Sequence, residues 1–89
     1  MNAADRIRGR LTEAFSPTEL QVIDESDQHK GHAGVGPEGE THFRVRIVAE
    51  AFRGKPRVET HRMINVALAA EFARGLHALA IEAKAPASG

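Results

Sequence analysis

Phe43-Arg44-Val45-Arg46-Ile47-Val48-Ala49-Glu50 carries the sharpest pattern in the 89-residue chain. In an extended strand, Phe43, Val45, Ile47 and Ala49 fall on one side and Arg44, Arg46 and Glu50 on the other. The alternation predicts a strand with one face in a core and one in water. Such a strand needs neighbours for its main chain and helices over its apolar face.

Upstream lies a polar segment, Ser26-Asp27-Gln28-His29-Lys30-Gly31-His32-Ala33-Gly34-Val35-Gly36-Pro37-Glu38-Gly39-Glu40-Thr41-His42, with four glycines, one proline and three of the five histidines. No regular element persists through that composition. A connection this long in a small domain is unusual and is functional or disordered. Before it, residues 19–25 read as a strand with Leu20 and Val22 inward and Ile23 covered at one edge. Consecutive strands joined by a loop are expected to pair antiparallel. Earlier still, Asn2 is placed to cap a first helix, with Asp5 at its positive end and Ile7, Leu11 and Phe15 as the buried stripe. Ser16-Pro17 ends it.

Downstream, Phe52-Arg53-Gly54-Lys55-Pro56 breaks the sheet. Residues 57–73 then predict one helix, with Val58, His61, Asn65, Leu68 and Phe72 inward, widened by Ile64 and Ala67. Gly75 is its left-handed cap. Residues 77–84 predict a third strand with Leu79, Ile81 and Ala83 inward, parallel to the second because a helix crosses between them. The expectation is an α+β fold, helix-strand-strand-helix-strand, with two helices on one face of a three-stranded mixed sheet. Residues 1–85 form the domain and 86–89 a flexible tail.

Composition removes several functions. Cysteine is absent, which excludes disulfides, thiolate nucleophiles and a self-sufficient zinc ribbon or iron-sulfur site. No apolar run approaches the roughly 20 residues of a membrane span and no secretory leader opens the chain, so a cytoplasmic protein without membrane contact is expected. The 12 basic and 12 acidic side chains cancel, yet they are segregated. Residues 24–40 hold five acids against Lys30, and residues 44–62 hold six bases (Arg44, Arg46, Arg53, Lys55, Arg57, Arg62) against Glu50 and Glu59.

Several residues allow two readings. His29 and His32, with His42 at the far end of their loop, are either solvated side chains or metal ligands. His77 is either an ordinary polar residue at a strand start or part of a composite site. Parallel pairing puts the starts of strands two and three at one end of the sheet, which joins it to the loop. His61 falls on the inward helix stripe and is expected half-buried or buried with a hydrogen bond. The basic group, including Arg53, Lys55, Arg57 and Arg62, is either a solvated face or a surface for phosphates. Without Tyr or Trp there is no base-stacking platform. Gly34-Val35-Gly36 with Gly39 precedes a strand, not a helix, and so is no dinucleotide fingerprint. No catalytic set is present, and the chain is not expected to be an enzyme.

Taken in order, Asp24-Glu25-Ser26, the histidine loop, Gly39-Glu40-Thr41-His42-Phe43-Arg44-Val45, Phe52-Arg53-Gly54, Thr60-His61-Arg62-Met63-Ile64 and Leu76-His77-Ala78-Leu79-Ala80-Ile81 resemble the BolA family. Thr60 stands where the family commonly has arginine, and the loop holds an extra histidine. The resemblance implies a fold like a class II KH domain, here without the Gly-x-x-Gly clamp, since Gly54-Lys55-Pro56-Arg57 has one glycine. It implies pairing with a monothiol glutaredoxin and glutathione around a shared [2Fe-2S] cluster, this chain being apo when alone. The implied ligands are His77 and a loop histidine, His32 or else His29. Histidine on one iron with partner thiolate and glutathione on the other makes a mixed site, as imidazole replaces thiolate in Rieske centres. The family also implies a DNA-binding regulator of stress response and cell shape, and leaves room for a weak homodimer.

Overall fold

The computed structural model describes residues 2–25 and 42–87. The first helix, α1 (Ala3–Phe15), starts where the Asn2 side chain accepts a hydrogen bond from the Asp5 N–H at 2.9 Å and ends at Ser16. It is followed by β1 (Glu19–Asp24) and β2 (His42–Val48). A short 3₁₀ turn, Glu50–Phe52, leads into α2 (Arg57–Ala67), α3 (Ala69–Arg74) and β3 (Ala78–Lys84).

The sheet order is β1-β2-β3, so the strand with the sharpest alternation is central. It pairs antiparallel with β1, Glu19 opposite Val48 through Asp24 opposite Phe43. It pairs parallel with β3, His42 opposite Ala78 through Val48 opposite Lys84. Both pairings are those expected from the chain order. Phe43, Val45 and Ile47 are buried under the helices and meet Ile7 and Leu11 of α1, Ile64 of α2 and Leu68. Phe15 and Phe52 close one side of this core with ring centroids 5.0 Å apart. The opposite face of the sheet, bearing Gln21, Arg46 and Glu82, is open to water. Ile23 lies on that face opposite Arg44 and is exposed, not covered at an edge as its apolar character suggested.

The expected single helix over 57–73 is two helices. Leu68 departs from helical geometry (φ −103°, ψ 15°) with neither glycine nor proline to mark the break. Leu68 is fully buried there. Its carbonyl accepts from the Glu71 and Phe72 N–H groups at 2.9 and 3.2 Å, which restarts the helix at once. The buried stripe is also rotated from the expected one. It runs Thr60, Ile64, Leu68, Glu71, while Val58 is 65 % exposed and Asn65 is exposed. Two polar residues therefore hold core positions, each satisfied. Thr60 Oγ1 donates to the Arg57 carbonyl at 2.8 Å, and the Glu71 carboxylate accepts from Arg6 Nε at 3.0 Å and Arg10 Nε at 3.2 Å.

Gly75 caps α3 at φ 125°, a conformation that side-chain-bearing residues rarely adopt. A Cβ there would meet nothing within 4 Å, so the strain is purely that of the backbone. Gly75→Ala is expected to cost about 1–3 kcal/mol, read as a lower urea midpoint at unchanged slope.

Candidate functional site at the histidine end of the sheet

Parallel pairing of β2 with β3 brings their first residues together. His42 opens β2 opposite Ala78, so His77 stands one residue ahead of β3 beside it. The two imidazole centroids are 6.1 Å apart, with the rings 60° from parallel. His42 is half-buried and His77 is exposed. The Glu25 N–H donates to the His42 carbonyl at 2.8 Å, so the chain leaves β1 and re-enters β2 at this same end. His29 and His32, the loop ligands named from the sequence, lie outside the described residues. A shallow depression of about 320 Å³ adjoins His42, lined also by Glu25, Phe43 and Ala78 to Ala80. Among the described residues no group of three or more histidine or acidic side chains is arranged to hold a metal ion. His42 and His77 are thus part of a donor set at most. They suit a site completed from elsewhere, in a chain that has no cysteine to complete one itself.

The juxtaposition of His77 with that end of the sheet follows from register. The register that puts His77 at the loop's end of the sheet also makes His42, the residue that opens the second strand, its neighbour.

The basic group separates into two parts. Across the open face, Arg44 Nε meets Glu25 at 3.0 Å, and Arg46 Nε and Arg44 Nη1 meet Glu82 at 2.9 and 3.5 Å. Hydrogen bonding to Arg46, and then its charge, holds the Glu82 carboxyl below its ordinary range. Hydrogen bonding and charge from Glu25 raise Arg44. Arg53 is bound to Glu50 and donates to the Pro86 carbonyl at 2.9 Å, and Arg62 pairs with Glu59 at 3.1 Å. The local excess of base in the sequence is therefore largely cancelled by the fold. Lys55 and Arg57 remain without a carboxylate partner among the described residues. They line a cleft of about 660 Å³ between α2 and β3, together with His61 and Lys84. His61 is half-buried as expected, but it makes no side-chain hydrogen bond to a described residue, because it faces this cleft and not the core. Lys84 was not singled out in the sequence. Its place at the carboxyl end of β3 beside the start of α2 follows from the strand pairing.

No helix among the described residues is long and apolar enough to cross a membrane. Residues 11–88 match the family model described as BolA-like protein. The chain is 52 % identical over 87 residues to an uncharacterized protein from the cobS 5′ region of Sinorhizobium sp, covering 97 % of this chain and 94 % of that one. It is 52 % identical to SufE-like protein 1, chloroplastic/mitochondrial, of Arabidopsis thaliana, covering 92 % of this chain but 23 % of that protein. It is 44 % identical to the DNA-binding transcriptional regulator BolA of Vibrio cholerae, over 86 % of this chain and 69 % of the regulator. Among solved structures, BolA1 from Arabidopsis thaliana superposes with a TM-score of 0.87 at 43 % identity, covering 97 % of this chain and 94 % of that one. Matched by the BolA-like family model over residues 11–88 and by the solved structure of Arabidopsis thaliana BolA1 over nearly the whole length of both chains, the chain belongs to the BolA family.

Proposed function

We propose that this chain is an adaptor that binds a monothiol glutaredoxin with glutathione and contributes imidazole ligands to a shared [2Fe-2S] cluster, in iron-sulfur trafficking or iron regulation. The observation that carries the proposal is the exposed His77 beside His42, at the end of the sheet where residues 26–41 depart and return. His77 supplies one ligand and His32 the other, with His29 as the alternative. When bound, the cluster supplies electron-transfer or transfer-of-iron chemistry. This chain's own residues set which partner docks and present neutral imidazole to one iron. The absence of cysteine makes the partner obligatory.

Reconstitution tests this. Purified protein mixed with a cluster-loaded monothiol glutaredoxin is expected to give a visible circular dichroism spectrum distinct from that of the glutaredoxin alone. His77→Ala is expected to abolish the difference. His32→Ala and His29→Ala, made separately, identify the loop ligand by which one removes it. A spectrum that stays that of the glutaredoxin, or one indifferent to His77→Ala, rejects the proposal.

A second reading, a DNA-binding regulator, is supported by the function printed in the name of the Vibrio cholerae relative and by Lys55 and Arg57, which have no carboxylate partner among the described residues. It predicts duplex binding that falls steeply with salt. Substituting Arg57 or Arg62 with alanine should each reduce the log-log salt slope by about 1. Arg62, already paired with Glu59, is expected to show the smaller loss of affinity. Gel shifts that are absent or independent of salt reject it.

A further inference from the structure

The outer edge of β3 has a chemistry of its own, which does not rest on the cluster-sharing reading. The Lys84 carbonyl accepts from the Ala49 N–H at 3.0 Å, so the main-chain groups of Lys84, Glu82 and Ala80 face β2. In a parallel ladder the alternate residues then face the other way. Leu79, Ile81 and Ala83 turn three N–H and three C=O groups outward from an edge strand, and none has a main-chain partner among the described residues. Two of the devices that blunt an edge are missing, since β3 has no proline and its register with β2 runs unbroken from Ala78 to Lys84, and its charges, Glu82 and Lys84, lie toward its carboxyl end.

The cleft between this edge and α2 adds a charge preference. Lys55, Arg57 and Lys84 project around it without a carboxylate partner among the described residues, and half-buried His61 lines its wall. Its one acid, Glu82, is engaged by Arg46 and Arg44. The opening is therefore net positive. Of its two rings, Phe52 is 3 % exposed and offers no face for a base to stack on, and His61 is half-buried in the wall. Outward main-chain groups and unpaired cations fit an extended polypeptide better than a nucleic acid. A strand added to β3 would send alternate side chains into the cleft.

We propose that the β3 edge and the adjoining cleft form a docking groove for an extended acidic segment of a partner protein, which adds as a fourth strand beside Leu79, Ile81 and Ala83 and places its carboxylates against Lys55, Arg57 and Lys84.

The probe is a fluorescein-labelled heptapeptide alternating glutamate with valine, followed by anisotropy and by amide hydrogen exchange on isotope-labelled full-length protein. Saturable binding is expected, with exchange slowed at the amides of Leu79, Ile81 and Ala83. The double variant Lys55→Glu, Arg57→Glu is expected to weaken binding roughly tenfold or more. Both side chains are exposed, so the variant is expected to fold, which far-ultraviolet circular dichroism checks. The same peptide N-methylated at alternate residues keeps its charge and is expected not to bind. Unchanged exchange at those three amides under saturating peptide overturns the proposal, as does equal binding of the N-methylated peptide. So does an eight-residue oligodeoxythymidine that binds this groove where the peptide does not.

Discussion

Replacing both Arg6 and Arg10 with methionine is expected to destabilise the protein by about 3–5 kcal/mol, more than removing the carboxylate they share. Glu71 is 2 % exposed in the core between α3 and α1, whereas its partners are 25 % and 43 % exposed. The asymmetry decides the sign of the comparison. Without its arginines the buried carboxylate loses the two side-chain donors that satisfy it. Without Glu71, both guanidinium groups can turn outward and rehydrate. Glu71→Gln, which keeps the volume and one acceptor, is thus expected to cost only about 1–3 kcal/mol. A domain of this length has roughly 4–13 kcal/mol in total, so the double variant approaches the whole of it. Urea titrations of the three proteins check the order. Equal losses for the double variant and Glu71→Gln would show that the carboxylate is not isolated from solvent once its partners are gone.

Glu71 also explains where sequence reading stops. A binary pattern of apolar and polar residues assigns helix faces correctly when polar means exposed. In α2 and α3 it does not. Val58 counts as a core residue and points to water, while Thr60 and Glu71 count as surface and are buried. Each is made tolerable by a partner that the pattern cannot register: the Arg57 carbonyl three residues back for Thr60, and two arginines of α1, more than sixty residues earlier, for Glu71.

The strands were more legible because their period is two and their partners are fixed by order. Alternation in β2 identified the core face, and the crossover identified β3 as its parallel neighbour, which was enough to place His77 at the loop's end of the sheet. Charge behaved differently. Six bases clustered between residues 44 and 62 suggested a basic surface, yet Glu25, Glu50, Glu59 and Glu82 neutralise four of them. Two of those acids come from across the sheet, Glu82 on β3 and Glu25 just past β1. Linear charge density could not anticipate cancellation across a sheet, and the residual excess sits in the cleft lined by Lys55, Arg57 and Lys84.

Phe43→Ala is the other substitution expected to have a large effect, about 3–5 kcal/mol, and its consequence reaches the histidines. Phe43 is 2 % exposed and sits immediately after His42, opposite Asp24 on β1 and Leu79 on β3. It anchors the start of the central strand, where main-chain pairing alone would let the ends fray. The cavity left by its ring falls under that end, and local opening there separates His42 from His77 without requiring global unfolding. Ile47→Ala is the control. Ile47 is 1 % exposed near the other end of the same strand, opposite Leu20 and Ala83, and its truncation costs a comparable 2–5 kcal/mol. Both variants should lower the urea midpoint. At temperatures where both remain folded, only Phe43→Ala is expected to speed amide exchange at Phe43 and Ala80, whose N–H groups lie in the β2–β3 ladder, and to diminish the visible circular dichroism change with a cluster-loaded glutaredoxin. Equal loss of that change in the two variants would mean that the partner reads the stability of the whole domain. Selective loss with Phe43→Ala would tie it to the end of the sheet where the two strand starts meet.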